Sequence, residues 1–375
     1  MIGEPSDRLI LLGGGHSHVE VLRRLRGRPT GLRCILVSEN RFSLYSGMLP
    51  GYLAGHYRLD EIRIDMARLA QACGAEFLCR RAIAIDRQAR RLVLEDGTEL
   101  DYRLLSINTG AAPSLSTIPG AAEHAVAVKP LHQFIRRIDG LLSWSAESAA
   151  APLTIVGGGA GGVEVALAVR HRCRLWPGTP EIRLVSGRRG LLPEHNSRVR
   201  ALARKHLRQA GIANMEGQRV QQITRRNLIL DDGSVLGAGL TLMVTAVRGP
   251  DWLRNTGLAL DGNGFVRTHA SLQSISDSAV FAAGDVASIE QQAITRAGVH
   301  AVRQGPVLSA NLRRAERGTT LRPYRPQRVI LGLIATGPKH AIVSRGAWAT
   351  EGRWAWHWKN WLDRRFIARY RHGDN

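Results

Sequence analysis

The run Gly157-Gly-Gly-Ala-Gly-Gly162 places glycine at its first, third and sixth positions. Gly157 permits a tight turn, Gly159 lets backbone amides approach a pyrophosphate, and Gly162 lets a helix pack closely on a strand. That chemistry needs an apolar strand before the run and a helix after it, so that the helix N-terminus faces the phosphates. Both are present: Leu153-Thr-Ile-Val156 precedes it, and Val163–Val169 continues as a helix. A second glycine run, Gly13-Gly-Gly-His-Ser-His18, lies about 140 residues earlier, between the apolar Arg8–Leu12 and a segment with Val19, Leu22 and Leu25 at helical spacing. It keeps Gly13 and Gly15 but has His18 at the third position. His16 and His18 form an HxH pair without a Cys/His cluster nearby, so packing or phosphate contact is expected there and no metal.

Each loop opens a βαβ unit, and the residues that end its second strand select the nucleotide. After Cys34-Ile-Leu-Val37 come Ser38 and Glu39, either of which can bond ribose hydroxyls. In the second unit the matching stretch is Val185-Ser-Gly-Arg-Arg189. It lacks a carboxylate, and Arg188 and Arg189 suit a 2′-phosphate, which favours NADPH over NADH. Late in the chain Val280-Phe-Ala-Ala283 reads as a buried strand that ends at Gly284-Asp285. A carboxylate there needs a partner, whether a ligand hydroxyl or the N-terminus of the helix expected over Arg296–Arg314.

The 375 residues suffice for two or three cores. Hairpins are expected around Asp96-Gly97 and Asp232-Gly233, a surface connection over Ser143–Ala151, and two short strands after Pro326. Four cysteines, Cys34, Cys73, Cys79 and Cys173, form no CxxC pair and define no disulfide framework. The start MIGEPSDR is polar and no apolar run is long enough to span a bilayer, so a cytoplasmic protein is expected, with at most peripheral contact on the inner face of the membrane. The net charge of +21 favours an anionic partner or reflects arginine used for solubility. An RNA-associated regulatory protein would want aromatics interleaved with the basic residues on a sheet. Here they cluster in the tail, so no nucleic acid is expected. On a helical wheel over 352–371, Trp354, Trp358, Trp361, Leu362 and Phe366 share one side, with Trp356 off the stripe. This suits an interfacial helix on anionic lipid, or a helix docked on its own protein or on a homodimer mate.

With Gly13–His18, Gly157–Gly162 and Phe281-Ala-Ala-Gly-Asp285 in this order, the chain resembles the two-dinucleotide-domain flavoproteins of the pyridine nucleotide-disulfide oxidoreductase superfamily. Thr109-Gly110 resembles their link between domains, and Leu260–Val266 with Leu272-Gln273 their approach to the GD pair. The likeness is nearest to type II NADH dehydrogenase-like proteins. LLGGGHSHVEVLRRL, SLYSGMLPGYLAGHY, AGVHAVRQGPVLSANL and EGRWAWHWKNWLDRRF also resemble the oxidoreductase module fused to selenide, water dikinase, and a stand-alone version of it is expected.

The resemblance implies an α/β fold of two Rossmann-like domains. The FAD domain would be discontinuous, 1–118 and 262–320, with the NAD(P)H domain, 119–261, inserted and a small α+β region at 321–375. It implies FAD contacts by Gly13, Gly15, His16, His18, Ser38, Glu39, Thr109, Gly110, Gly284 and Asp285. NAD(P)H contacts fall to Gly157, Gly159, Gly162, Arg188 and Arg189. Glu164 stands where such dehydrogenases place a glutamate near the nicotinamide, although a first-turn glutamate also suits a helix dipole. Gln304 and His300 fall on the helix under the flavin. Where the disulfide reductases carry a cysteine pair, this chain has Ser43–Pro50 without cysteine, and no cysteine follows Cys173. Electrons would therefore pass from NAD(P)H through FAD to a quinone or similar diffusible acceptor. The alternatives are a soluble reductase acting on a selenium or sulfur species, or on a partner protein.

Overall fold

A computed structural model describes residues 6–142, 151–174, 178–245, 247–292, 296 and 298–371. The connection expected over Ser143–Ala151 lies almost wholly outside the described residues. Among them the long helices are α1 (His16–Gly27), α2 (Leu131–Leu142), α3 (Ala160–Cys173), α4 (Ser197–Gln209), α5 (Gly298–Glu316) and α6 (Arg353–Arg371).

Two five-stranded parallel sheets form the frame. In the first, Arg8–Leu12 lies between Arg33–Val37 and Leu104–Ile107, with Val280–Ala282 beyond the latter. In the second, Leu153–Val156 lies between Ile182–Ser186 and Leu240–Met243. All four residues of Leu153–Val156 are buried, as a parallel strand covered on both faces requires. Helices α1 and α3 leave the central strands at the glycine loops, so each loop sits at the carboxyl end of its sheet, where open α/β sheets bind ligands. The two hairpins form as expected, with Gly97 and Gly233 at positive φ (83° and 84°).

The domains are joined by an antiparallel ribbon of Ala112–Pro113 with Val247–Arg248. Gly110, at φ 79°, turns the chain into that ribbon. Leu253 and Leu258, which the sequence placed in the inserted domain, instead share a core cluster with Ile10, Leu12 and Val280 of the first sheet. The chain thus rejoins the core of the first sheet before residue 261.

The last region departs from expectation in one element. Three strands, not two, follow Pro326: Leu331–Ala335, Ala341–Arg345 and Trp348–Gly352 form an antiparallel sheet. Strand Trp348–Gly352 alternates too briefly to be separated from the tail by pattern alone. Helix α6 then docks through Ala355, Trp356, Asp363, Phe366, Ile367 and Tyr370, all buried. Phe366 leaves the expected tryptophan stripe and Trp356 is an anchor, while Trp354, Trp358, Trp361 and Leu362 remain exposed. No helix among the described residues is long and apolar enough to cross a membrane.

Candidate active site

The first glycine loop is shaped by a residue that its own sequence does not contain. Asn108, at the end of Leu104–Ile107, accepts from the Ser17 and His18 amides at 3.1 and 3.2 Å and donates to the Ala283 carbonyl. It thereby caps α1, whose N-cap Gly15 has no side chain to offer. A Cβ on Gly15 would stand 2.3 Å from Asn108 Oδ1, and one on Gly284 2.5 Å from Asn108 Nδ2. One asparagine thus locks the glycine loop to the Gly284-Asp285 segment. Gln304 adds to the lock, since its Oε1 accepts from the Gly284 amide at 2.6 Å. That oxygen is committed to holding backbone, which makes Gln304 a positioning residue. His300 is likewise engaged, its Nδ1 3.1 Å from the Tyr324 hydroxyl.

His18 fills the third-glycine position as a core residue. Nδ1 lies 2.7 Å from the Gly13 carbonyl and Nε2 2.8 Å from Ser106 Oγ. Burial lowers its pKa to about 4, so the ring is neutral and bound by protein on both nitrogens. Of the packing and phosphate-contact readings, the geometry favours packing. His16, at the start of α1, faces Tyr45 and Phe366 edge-on, with centroids at 5.4 and 5.7 Å. Its pKa is lowered by burial, against an opposing pull from Asp285.

Asp285 finds its partner in Lys129 Nζ at 2.6 Å. The helix expected over Arg296–Arg314 forms as Gly298–Glu316, behind the strand Ala287–Ile289, so Asp285 caps no long helix. At the other end of the loop the two ribose candidates separate. Ser38 Oγ turns inward to the Asn40 carbonyl, while Glu39 is half exposed and lies 3.7 Å from His132.

In the second loop a Cβ on Gly157 would meet the Val244 carbonyl at 2.4 Å, and one on Gly162 the Gly157 carbonyl at 1.8 Å. Gly159 differs: a Cβ there would meet nothing within 4 Å. It is also the N-cap of α3 and has no capping side chain. An open cradle at an uncapped helix N-terminus fits a pyrophosphate. Arg188 and Arg189 are exposed beside this loop, in ion pairs with Asp231 (3.4 Å) and Glu194 (2.6 Å).

Glu164 lies just past the first turn of α3, not in it as the helix-dipole reading required, and points to the junction of the three regions. Its Oε1 accepts from the Ala335 amide at 2.8 Å. Desolvation raises its pKa to about 7, opposed by the charge of Lys359. Lys359, on α6, donates to the Gly47 carbonyl at 2.6 Å and to Asp363 Oδ2 at 2.7 Å. Asp363 is itself pushed up by desolvation and bonded by Tyr45. Phe366 stacks on Tyr45 at 4.3 Å and closes the group towards His16. Two acids and a lysine therefore share a low-dielectric corner, in which the Glu164 carboxyl can hold a proton near neutral pH. Asn108, Lys129, Lys359 and Asp363 were not foreseen from sequence. Only Asn108, immediately before Thr109-Gly110, had a nearby signal.

Comparison with known proteins agrees with this geometry. The model of the pyridine nucleotide-disulphide oxidoreductase family matches residues 7–305, and the chain belongs to that family. Its members use FAD and NAD(P)H. Over 307 residues the chain is 28% identical to a probable ferredoxin reductase of Castellaniella defragrans, covering 75% of this chain and 68% of the relative. Over 359 residues it is 27% identical to a demethylphylloquinone reductase of Synechocystis, covering 90% and 86%. Among solved structures, NDH2 of Plasmodium falciparum in complex with NADH superposes with a TM-score of 0.82 at 13% identity, covering 98% of this chain and 99% of that one. The sulfide:quinone oxidoreductase of Aquifex aeolicus gives 0.81 at 18% identity, covering 98% and 92%.

Proposed function

We propose that this protein oxidises NAD(P)H and reduces a quinone or similar diffusible acceptor through bound FAD, using no redox disulfide of its own. FAD, when bound, supplies the hydride-accepting and electron-passing chemistry. The buried group of Glu164, Lys359 and Asp363 at the meeting point of the three regions carries this reading. Reducing a quinone to a quinol with NAD(P)H consumes one proton from outside the nicotinamide, and the Glu164 carboxyl can hold it.

The residues divide by role. Gly13 and Gly15, braced by Asn108, shape the FAD pyrophosphate loop. Glu39, rather than Ser38, bonds the adenosine ribose, and Thr109-Gly110 and Asp285 with Lys129 border the remainder of the cofactor. Gly157, Gly159 and Gly162 shape the NAD(P)H loop, and Arg188 with Arg189 bind a 2′-phosphate. The absence of cysteine from Ser43–Pro50 supports direct transfer to an external acceptor. The exposed Trp354, Trp358 and Trp361 beside basic side chains support peripheral contact with anionic lipid, where quinones reside. The +21 charge supports a second reading, an anionic partner protein as acceptor.

The test is anaerobic. The purified chain should be yellow and should bleach with NADPH, and with NADH more weakly. It should then reoxidise with quinones faster than with an iron–sulfur protein, a selenium species or a sulfur species. A colourless protein that cannot be reconstituted with FAD would sink the flavin reading. Reoxidation by the iron–sulfur protein alone would replace the acceptor.

A further inference from the structure

Away from both glycine loops, three metal-ligating side chains converge from distant parts of the chain. His206 lies on α4 of the inserted domain, His340 in the turn between Leu331–Ala335 and Ala341–Arg345, and Glu351 on the last strand. One ligand atom from each lies within 4.8 Å of the others. His206 and His340 line a pocket of about 530 Å³, with Thr336 and Gln209.

Hydrogen-bond bookkeeping assigns the donor atoms. The Thr336 hydroxyl lies 3.1 Å from the His340 carbonyl, to which it can give its one proton. Its lone pair, 3.0 Å from His340 Nδ1, must then accept from Nδ1–H, which leaves the Nε2 lone pair of His340 for a ligand. A metal-binding histidine is held in this way by a bond to its other nitrogen. Glu351 also divides its oxygens. Oε1 takes Lys205 Nζ at 2.7 Å, while Oε2 lies 2.5 Å from His206 Nε2. A cation could replace the proton between His206 and Oε2 and leave Lys205 in place. Atoms around a tetrahedral zinc stand about 3.3 Å apart, so His206 and Glu351 would separate by under ~1 Å.

We propose that His206, His340 and Glu351 form a binding site for a divalent transition metal of the zinc type, which cross-links the inserted domain to the C-terminal sheet. Two imidazoles and a carboxylate are a zinc donor set, and the pocket leaves room for water as the fourth ligand. Arg174, Lys339 and Arg353 at the pocket oppose a dication, so the expected affinity is on the order of micromolar. The site lies apart from the glycine loops and does not depend on the acceptor reading above.

Calorimetric titration of the full, flavin-loaded chain with Zn²⁺ tests it. The expected result is one equivalent bound, with a thermal midpoint raised by a few degrees. His340→Ala and Glu351→Gln should each weaken that binding at least tenfold, while His124→Ala, at an exposed histidine, should not. Glu351→Gln keeps an oxygen for Lys205 and serves if His340→Ala does not fold. Binding that is equal in the chain and in Glu351→Gln, or no stoichiometric binding, would leave only an ion-pair network and overturn the proposal.

Discussion

Glu164 and His18 are both buried ionisable groups, and desolvation moves both towards their neutral forms. Their consequences for pH run in opposite directions. Glu164, raised to about 7, is protonated below that pH and loses its proton above it. As the proposed proton donor to the acceptor, it should make turnover fall as pH rises through about 7. Glu164→Gln should lower acceptor-dependent turnover roughly ten- to a hundredfold and abolish that inflection, while flavin bleaching by NAD(P)H continues. The same inflection in the variant would remove Glu164 from the proton path. His18, lowered to about 4 from 6.5, stays neutral in the fold while the unfolded chain takes up a proton. Its contribution is complete above pH 6.5 and is lost as pH falls towards 4, with a slope of about 1.4 kcal/mol per pH unit. Denaturant unfolding between pH 7 and 4.5 should show a steeper loss in the wild type than in His18→Gln.

At the scale of the element, the glycine loops show that identical residue types serve different ends. Gly162 is pressed against the Gly157 carbonyl, whereas Gly159 faces open space at the α3 N-terminus, where the proposed nucleotide would approach. Gly159→Ala should leave the thermal midpoint nearly unchanged and raise KM for NAD(P)H about tenfold, since the added methyl meets no protein atom. Gly162→Ala should cost about 1–3 kcal/mol in unfolding free energy, because its methyl meets the Gly157 carbonyl. The reverse pattern would mean that α3 does not receive the nucleotide. Helix α6 makes a similar division. Its inner face joins the first domain through Phe366 on Tyr45 and through the Tyr370 hydroxyl, 2.8 Å from Glu20. Phe366→Ala should cost about 3–5 kcal/mol by chemical denaturation and loosen flavin binding, because the ring packs beside the first loop.

Over the whole molecule, α6 has one buried face and one exposed tryptophan face. The tail docks on its own protein and still presents Trp354, Trp358 and Trp361 outward, in a chain of net charge +21. A double change of Trp354→Ser with Trp361→Ser should leave stability within about 0.5 kcal/mol, as exposed substitutions do. It should also abolish flotation with anionic vesicles, and flotation of the wild type should weaken as salt screens the charge. Equal flotation of the two forms would return the tryptophan face to a protein partner.

The sequence alone determined the two-domain α/β plan, the two nucleotide loops and the Gly284-Asp285 strand end. Each is written in contiguous residues whose order and apolar pattern follow directly from backbone geometry. Gly157 and Gly162 are legible because a tight turn packed against a helix start admits little else there. Only the tertiary structure decided that Asn108 knits the first loop to Gly284, that Lys129 answers Asp285, and that Lys359 and Asp363 enclose Glu164. Those partners lie far apart in the chain and carry no local periodicity. For the same reason the sequence does not show that Ser38 bonds the Asn40 carbonyl or that both His18 nitrogens are held by protein. A side chain's type states which bonds it can make, and its neighbours in space state which of them are already made.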